Sequence, residues 1–359
     1  MICETGQRVR PGDIARIVAH IKVIGVGGGG CNTVRRMMQQ QAVPGVECIV
    51  VNTDIKSLRL ASSVRTIQLG AHLTQGCGAG GDINIGELAA KESRLELQKA
   101  IRGAELVFIA AGMGGGTGTG SAPVVADVAR ESGALVIAVV TTPFSFEGNR
   151  RRDIAITGLR RLMERVNSTI IVPNDHLLRL GDHDVPVQRA FAAADNVVAE
   201  GITAISELVN VPGEINVDLA DVRKVMGIPG IALMATGWGE GTNAAEQAAE
   251  EVVFEPLLDS HVNGAKGVLF CFSGGPDLTL GGVEKAANLI SKQVDPHAVI
   301  FFGMNLPSEE LTGKVKINLV ATGIKPAPDN NWFLRAKQGL KQAQPIQLGI
   351  PVRLGMSTG

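Results

Sequence analysis

Two runs of glycine stand where a chain can hold an anion through its backbone. Gly27, Gly28 and Gly29 lie within Gly25-Val-Gly-Gly-Gly-Gly30, and Gly114, Gly115, Gly116, Thr117, Gly118, Thr119 and Gly120 follow one another without a break. Closely spaced glycines let backbone N–H groups converge on phosphate oxygens, and the two threonines add hydroxyl donors. A third run places Gly78, Ala79 and Gly80 within Gly76-Cys-Gly-Ala-Gly-Gly81. A single such loop is as readily a tight turn; three together favour a phosphate site. The first run also fits the dinucleotide fingerprint Gly-x-Gly-x-x-Gly, with Asp54 downstream, so a dinucleotide-dependent oxidoreductase is the rival reading. The second run has no counterpart in such a fold, and neither run carries the lysine of a Walker loop.

Phe191 and Asp195 are four apart on one helical pattern and so share a face. A ring beside a carboxylate can stack on a base while accepting from two adjacent donors. Guanine presents such a pair and adenine does not. The alternative is a core phenylalanine beside a solvated charge. Asp218 and Asp221 in Asn216-Val-Asp-Leu-Ala-Asp221 can polarise a water or organise a hydrated cation. They equally suit a helix start, with Asn216 or Asp218 as the cap and acids favoured by the dipole.

The elements needed to position these groups are legible as alternating apolar runs and helical patterns. Segments 21–26, 47–51, 106–111 and 134–140 read as strands, and 32–41 and 121–131 as helices. Pro123 falls near the predicted start of the latter, where a first-turn amide has no intrahelical partner. A long helix runs from Val187 to Val209 before the turn Val211-Pro-Gly213. Strands at 267–272, 298–302 and 316–321 and helices at 243–253 and 282–294 form a second unit. The expected class is α/β: a Rossmann-like domain with a parallel sheet, a long central helix, then a smaller C-terminal α/β domain. The expected division is an N-terminal extension over 1–20, a nucleotide-binding domain over 21–185, the central helix over 186–211, a C-terminal domain over 212–324 and a tail over 325–359.

Composition narrows the function. The 359 residues are 45% hydrophobic and 19% charged with a net charge of −1, which allows two ordinary cores and gives no nucleic-acid footprint. No run has the length of a membrane span, and the N-terminus lacks the apolar core of a signal peptide. Five cysteines and six histidines are scattered without metal-ligand spacing, so no metal site is expected, and a reducing cytoplasm is.

Gly114-Gly-Gly-Thr-Gly-Thr-Gly120 resembles the signature loop of the tubulin/FtsZ family. The similarity extends over 21–323, through Val51-Asn-Thr-Asp54, Thr142-Pro-Phe-Ser-Phe-Glu-Gly148, Val172-Pro-Asn-Asp175, Ala194-Asp-Asn-Val197 and Asn216-Val-Asp-Leu-Ala-Asp-Val222. Several of these segments are closer to the FtsZ branch than to eukaryotic tubulin. The resemblance implies GTP and GDP as ligands, with Mg²⁺ carried mainly by phosphates and water. It places Asn32, Asn52 and Asp54 with the glycine runs at the nucleotide, Pro143 and Glu147 at the ribose, Arg151 nearby, and Asn174 near sugar and base. It implies guanine recognition by Phe191 and Asp195. It also implies a head-to-tail homopolymer in which the Asn216, Asp218 and Asp221 loop completes the neighbour's site for GTP hydrolysis. The setting it suggests is a cytoplasmic division ring at mid-cell, anchored or regulated by proteins that bind the tail, with no direct insertion into a membrane.

The chain departs from the family at Cys31, where a small residue is usual and where a thiol beside the phosphate loop suggests redox sensitivity. It departs also at Gln75, Asp82-Ile83, Leu219 and the bulky Trp238. Almost no linker separates Gly323 from Trp332-Phe-Leu-Arg335. A variant tubulin-like filament protein with a non-division role, or with little hydrolysis, is therefore the alternative. In the tail, Phe333, Ala336 and Leu340 share a helical face and Ile346 to Leu354 alternate as an edge strand would, which suits partner binding or cover for the chain's own second domain.

Overall fold

The computed structural model describes residues 18–39, 43–61, 63–177, 186–229, 231–254 and 262–324. The N-terminal extension before residue 18 and the tail after residue 324 lie outside them. Among the described residues the strands are β1 (Ile21–Val26), β2 (Val46–Asn52), β3 (Arg65–Gln68), β4 (Leu106–Gly112), β5 (Leu135–Thr142), β6 (Ser168–Pro173), β7 (Gly213–Ile215), β8 (Ile231–Glu240), β9 (Gly267–Gly274), β10 (Val299–Asn305) and β11 (Lys314–Ile324). The helices of eight residues or more are α1 (Gly27–Met37), α2 (Ile83–Glu92), α3 (Arg94–Ile101), α4 (Gly116–Glu131), α5 (Asn149–Met163), α6 (Val187–Asn210), α7 (Leu219–Met226), α8 (Ala244–Phe254) and α9 (Leu280–Gln293).

One sheet runs in the order β3-β2-β1-β4-β5-β6-β8-β11-β9-β10-β7. From β3 to β6 every pair is parallel. The inner strands β1, β4 and β5 are buried on both faces, which is why they read as continuous apolar runs, whereas β3 is a mostly exposed edge. The order reverses between β1 and β4, and the carboxyl ends of strands at such a switch leave a crevice for a ligand. A single parallel pair, Ile170 with Ala232, joins β6 to β8. Beyond it β11 is antiparallel to β8 and β9, a mixture that alternation alone does not reveal.

Residue parity divides the strands between two cores. Ile24, Val26, Ile109 and Val140 face α2, α4 and α5, while Val23, Phe108 and Val139 face α1 and α6. A third core holds α8 and α9 against Leu233, Phe270, Phe272 and Ile317. The end of α6 is fixed to the start of the sheet by Asn210, whose amide accepts from Ala19 N–H at 2.9 Å and donates to the carbonyls of Ala19 and Pro44 at 2.9 and 2.8 Å. Trp238 lies half exposed on β8, with the Lys316 ammonium 5.5 Å from its ring centre.

Two helix starts correct the sequence reading. α1 begins at Gly27 rather than 32, and α4 at Gly116 rather than 121. The glycine runs are thus largely first turns of helices, not loops before them. Low helix propensity hides this from a propensity-based reading. Pro123 accordingly sits inside α4, not in its first turn. There its ring opposes the carbonyl one turn back, a local weakening that the buried flanks of α4 must offset.

Candidate functional site

β1 runs straight into α1 and β4 turns into α4, so two helix N-termini meet at the reversal of strand order. Neither is capped by a side chain, and neither carries an acid in its first turn. First-turn amides without intrahelical partners, together with the positive dipole end, make each an anion seat. The backbones approach closely: a Cβ on Gly27, which has φ +69°, would meet Gly118 N at 2.7 Å. On Gly28 and Gly115 a Cβ would meet nothing within 4 Å. Thr117 Oγ1 lies 2.6 Å from Thr53 Oγ1, and the buried Thr119 Oγ1 accepts from Gly114 N–H at 2.8 Å. These bonds hold the second glycine run in shape.

An open cleft of about 380 Å³ extends from this double N-terminus. Gly28, Gly29, Asn32, Gly115, Gly116, Thr117, Gly118, Pro143, Glu147, Arg151, Asn174, Phe191 and Asp195 line it, as the sequence reading grouped them. At its far end Phe191 is held edge-on against Phe144, ring centres 5.0 Å apart, and keeps 39% of its surface exposed. Asp195 receives Arg36 Nε at 3.4 Å. Burial pushes its carboxyl up to about 6, against the opposing pull of Arg36 and Arg35. Glu147 accepts from Phe144 N–H at 2.9 Å and pairs with Arg151, so the turn before α5 is pinned to its own first helical turn.

Other expected residues stand behind the lining. Asn52 is buried, donates to Cys31 Sγ at 3.8 Å and accepts from Asp54 N–H at 3.2 Å. Asp54 caps the short helix Ile55–Arg59, and the Ser57 hydroxyl holds its carboxyl below the usual carboxylate range. Gly78 and Gly80 take positive φ beside it, and Ala79 lies under Gly116. Gly120 packs against the α2 backbone. Asn216, Asp218 and Asp221 line no part of this cleft. Asn216 accepts from Gly213 N–H, and Asp218 caps α7 by accepting from Asp221 N–H, both at 2.8 Å. Their loop follows β7, at the opposite edge of the sheet from β3.

Sequence reasoning missed Arg36, Thr141 and Thr142. Arg36 reads as a basic residue favoured by the end of α1, and its partner is 159 positions away. The threonine pair ends an apolar strand just before Pro143, a polar break that was the available signal. Two atoms in the cleft wall, Thr142 Oγ1 and Asn174 Oδ1, are buried without a hydrogen-bond partner. Unpartnered polar atoms buried in a wall fit a polar ligand there. Cys31 corrects the redox expectation: it is 4% exposed, and burial pushes its thiol up to about 12, far from a reactive thiolate. Among the described residues no three of His, Cys, Asp or Glu are grouped to hold a metal ion, and no helix is long and apolar enough to cross a membrane.

The family model for the GTPase domain of the tubulin/FtsZ family matches residues 20–182, and that for the C-terminal domain of the FtsZ family matches 230–325. An empty FtsZ dimer from M. jannaschii is 38% identical at TM-score 0.81, over 88% of this chain and 92% of that one. CetZ2 from Haloferax volcanii, solved as a GTPγS-bound protofilament, matches at TM-score 0.76 over 90% of this chain and 99% of its own. CetZ1 from the same organism, a GDP-bound monomer, matches at TM-score 0.76 over 89% and 99%. At 22% and 20% identity the latter two are likenesses of fold.

Proposed function

The chain belongs to the tubulin/FtsZ family of GTPases, and from that premise we propose that it binds GTP in this cleft, assembles head-to-tail and hydrolyses GTP at the subunit contact. The observation that carries the reading is the meeting of two uncapped glycine helix starts at one end of a cleft whose other end presents Phe191 and Asp195. The triphosphate lies on the first-turn amides, the base against Phe191, and guanine's two donors on the Asp195 carboxylate. Any Mg²⁺ would be held mainly by the nucleotide's phosphates and water, since the phosphate end of the cleft offers amides and hydroxyls while its acids, Glu147 and Asp195, are each paired with an arginine.

Hydrolysis needs a group that orients or activates the attacking water, a task a carboxylate can perform. This chain's own cleft supplies none there, and its candidate acids follow β7 at the remote edge. A second copy stacked head-to-tail brings Asn216, Asp218 and Asp221 to the γ-phosphate, so turnover waits on assembly and then loosens the contact. The dimer of the 38% identical FtsZ is consistent with self-association. In this reading 21–185 binds nucleotide, 186–211 links, and 212–324 completes the neighbour. A cytoplasmic place in a mid-cell division ring, with anchoring or regulatory proteins held by 325–359, extends the same proposal.

Sedimentation with GTP, GDP or ATP, with phosphate release followed in parallel, tests it. Polymer with GTP alone and release that rises with polymer support the reading. Polymer without release favours a filament that scarcely hydrolyses, in which Asp218 is only a helix cap. GTP binding without polymer rejects the assembly.

A further inference from the structure

We propose that residues 346–354 add as a strand to the free edge of β10, so that the tail closes the chain's own sheet, a role independent of the nucleotide site. β10 is paired with β9 from Val299 to Met304, but on its other side β7 meets only Met304 and Asn305. Val299 N–H donates to the Lys266 carbonyl at 2.8 Å, so Val299, Phe301 and Gly303 turn their backbone groups toward β9. Alternation then turns the N–H and C=O of Ile300 and Phe302 outward, where no described residue pairs with them. Their side chains are 37% and 43% exposed, on the face where Phe302 stacks on Phe270 with ring centres 6.0 Å apart. An apolar strand edge with unpaired amides is one that natural sheets pair or cover.

The tail starts within reach of this edge. Thr322 of β11 and Val299 of β10 are both in register with Gly267 of β9, so β11 finishes at the Val299 end with only β9 between. The 21 residues from 325 to 345 can span to either end of an edge about 15 Å long. Charge favours the contact as well: 212–324 holds 14 acids and 7 bases, and 325–359 holds one acid and 5 bases.

Pro351 fixes the orientation. Ile346, Leu348, Ile350, Val352 and Leu354 share one face and turn their backbone groups to one side, and Pro351, which has no N–H, falls in the other register. An antiparallel strand with these apolar residues opposite Ile300 and Phe302 bonds through complete amides and leaves Pro351 at solvent. A parallel strand with the same faces matched would turn Pro351 toward β10 and leave a β10 carbonyl without a donor. At the new edge the proline also discourages any further strand. The helical pattern through Phe333, Ala336 and Leu340 stays available to partner proteins.

Hydrogen exchange read amide by amide on the dilute, nucleotide-free protein tests this. In the full chain the Ile300 and Phe302 amides should exchange about tenfold or more slowly than in a chain ending at Gln344. The Phe301 amide, turned to β9, should stay protected in both, which separates loss of docking from loss of the fold. Leu348→Pro removes an inward amide and should free Ile300 and Phe302, whereas Gln347→Pro, in the outward register, should leave them protected. Fast exchange of both amides in the full chain overturns the proposal, as does equal release by the two proline variants. Protection that survives the truncation, or that fades on dilution, also overturns it, because another segment or a second copy would then hold the edge.

Discussion

Arg36 on α1 places its Nε 3.4 Å from the Asp195 carboxylate on α6, joining two helices on the same face of the sheet at the base end of the cleft. The pair lies across the position where a guanine edge would be read. It opposes the burial that raises the Asp195 carboxyl to about 6. Affinity for GTP should therefore fall as pH drops through about 6, approaching a tenfold loss per unit below it. The stability of the nucleotide-free protein should move the other way. A carboxyl raised above its unfolded value of about 3.9 contributes stability below that value and loses it as pH rises through about 6. Asp195→Asn should flatten both profiles and blunt the preference for GTP over ATP. Arg36→Gln should shift the binding midpoint upward. Titrations of binding and of denaturant midpoint between pH 4.5 and 8 read both signs; a pH-independent GTP affinity would leave Asp195 with no part in recognition.

Asp218 is the cap of α7 through its bond to Asp221 N–H, so alanine there confuses stability with chemistry. Asparagine caps as well as aspartate and removes the charge, whereas alanine costs about 1 kcal/mol in the cap. Both substitutions should leave GTP binding intact and cut phosphate release about tenfold or more, in line with loss of a transition-state interaction. Only Asp218→Ala should lower the unfolding transition. Mixing Asp218→Asn with a nucleotide-site mutant should recover part of the turnover, because an intact loop then faces an intact site. Full activity in Asp218→Asn would confine the residue to capping.

The cleft was legible where function is written in backbone. Glycine runs and the Phe191–Asp195 spacing announce themselves because an anion seat and a base face each require particular residue types. What escaped depends on tertiary contact: Arg36 meets its partner across 159 positions, and Thr142 comes beside the end of β6 only through the β5–β6 register. Strand positions were readable from apolar runs, but the antiparallel place of β11 between β8 and β9 was not. The early starts of α1 and α4 were hidden for a related reason. Glycine is a poor helix former, and in the proposed function its first-turn amides are the ones that seat the phosphates.

Thiol chemistry should bypass the phosphate loop. Cys31 and Cys271 are buried with thiols pushed up to about 12, and Cys48 is raised to about 11, while Cys77 is exposed. Brief alkylation of the folded protein, followed by peptide mass mapping, should label Cys77 well ahead of the other three. Comparable early labelling of Cys31 would restore the redox sensitivity that its burial excludes.

Two glycines of the runs should separate binding from packing. Gly28 sits in the first turn of α1, and a methyl there would meet nothing within 4 Å, projecting into the cleft. Gly28→Ala should therefore keep the denaturation midpoint, aided by alanine's better helix propensity, while GTP affinity falls sharply as the methyl occupies the seat of the phosphates. At Gly120 a Cβ would collide with the carbonyl of Ile83 and stand 2.9 Å from Glu87 N, both backbone atoms of α2. Gly86 on α2 faces the Gly116 carbonyl in the same way, so the two helices approach at backbone distance. Neither backbone can swing aside as a side chain would. Gly120→Ala should lower stability by about 1–3 kcal/mol, as overpacking does, with nucleotide affinity reduced only as far as α4 tilts. Urea unfolding and GTP binding measured on both variants give a two-by-two comparison. Equal destabilisation by the two substitutions would contradict the division of these glycine runs into a phosphate seat and a helix contact.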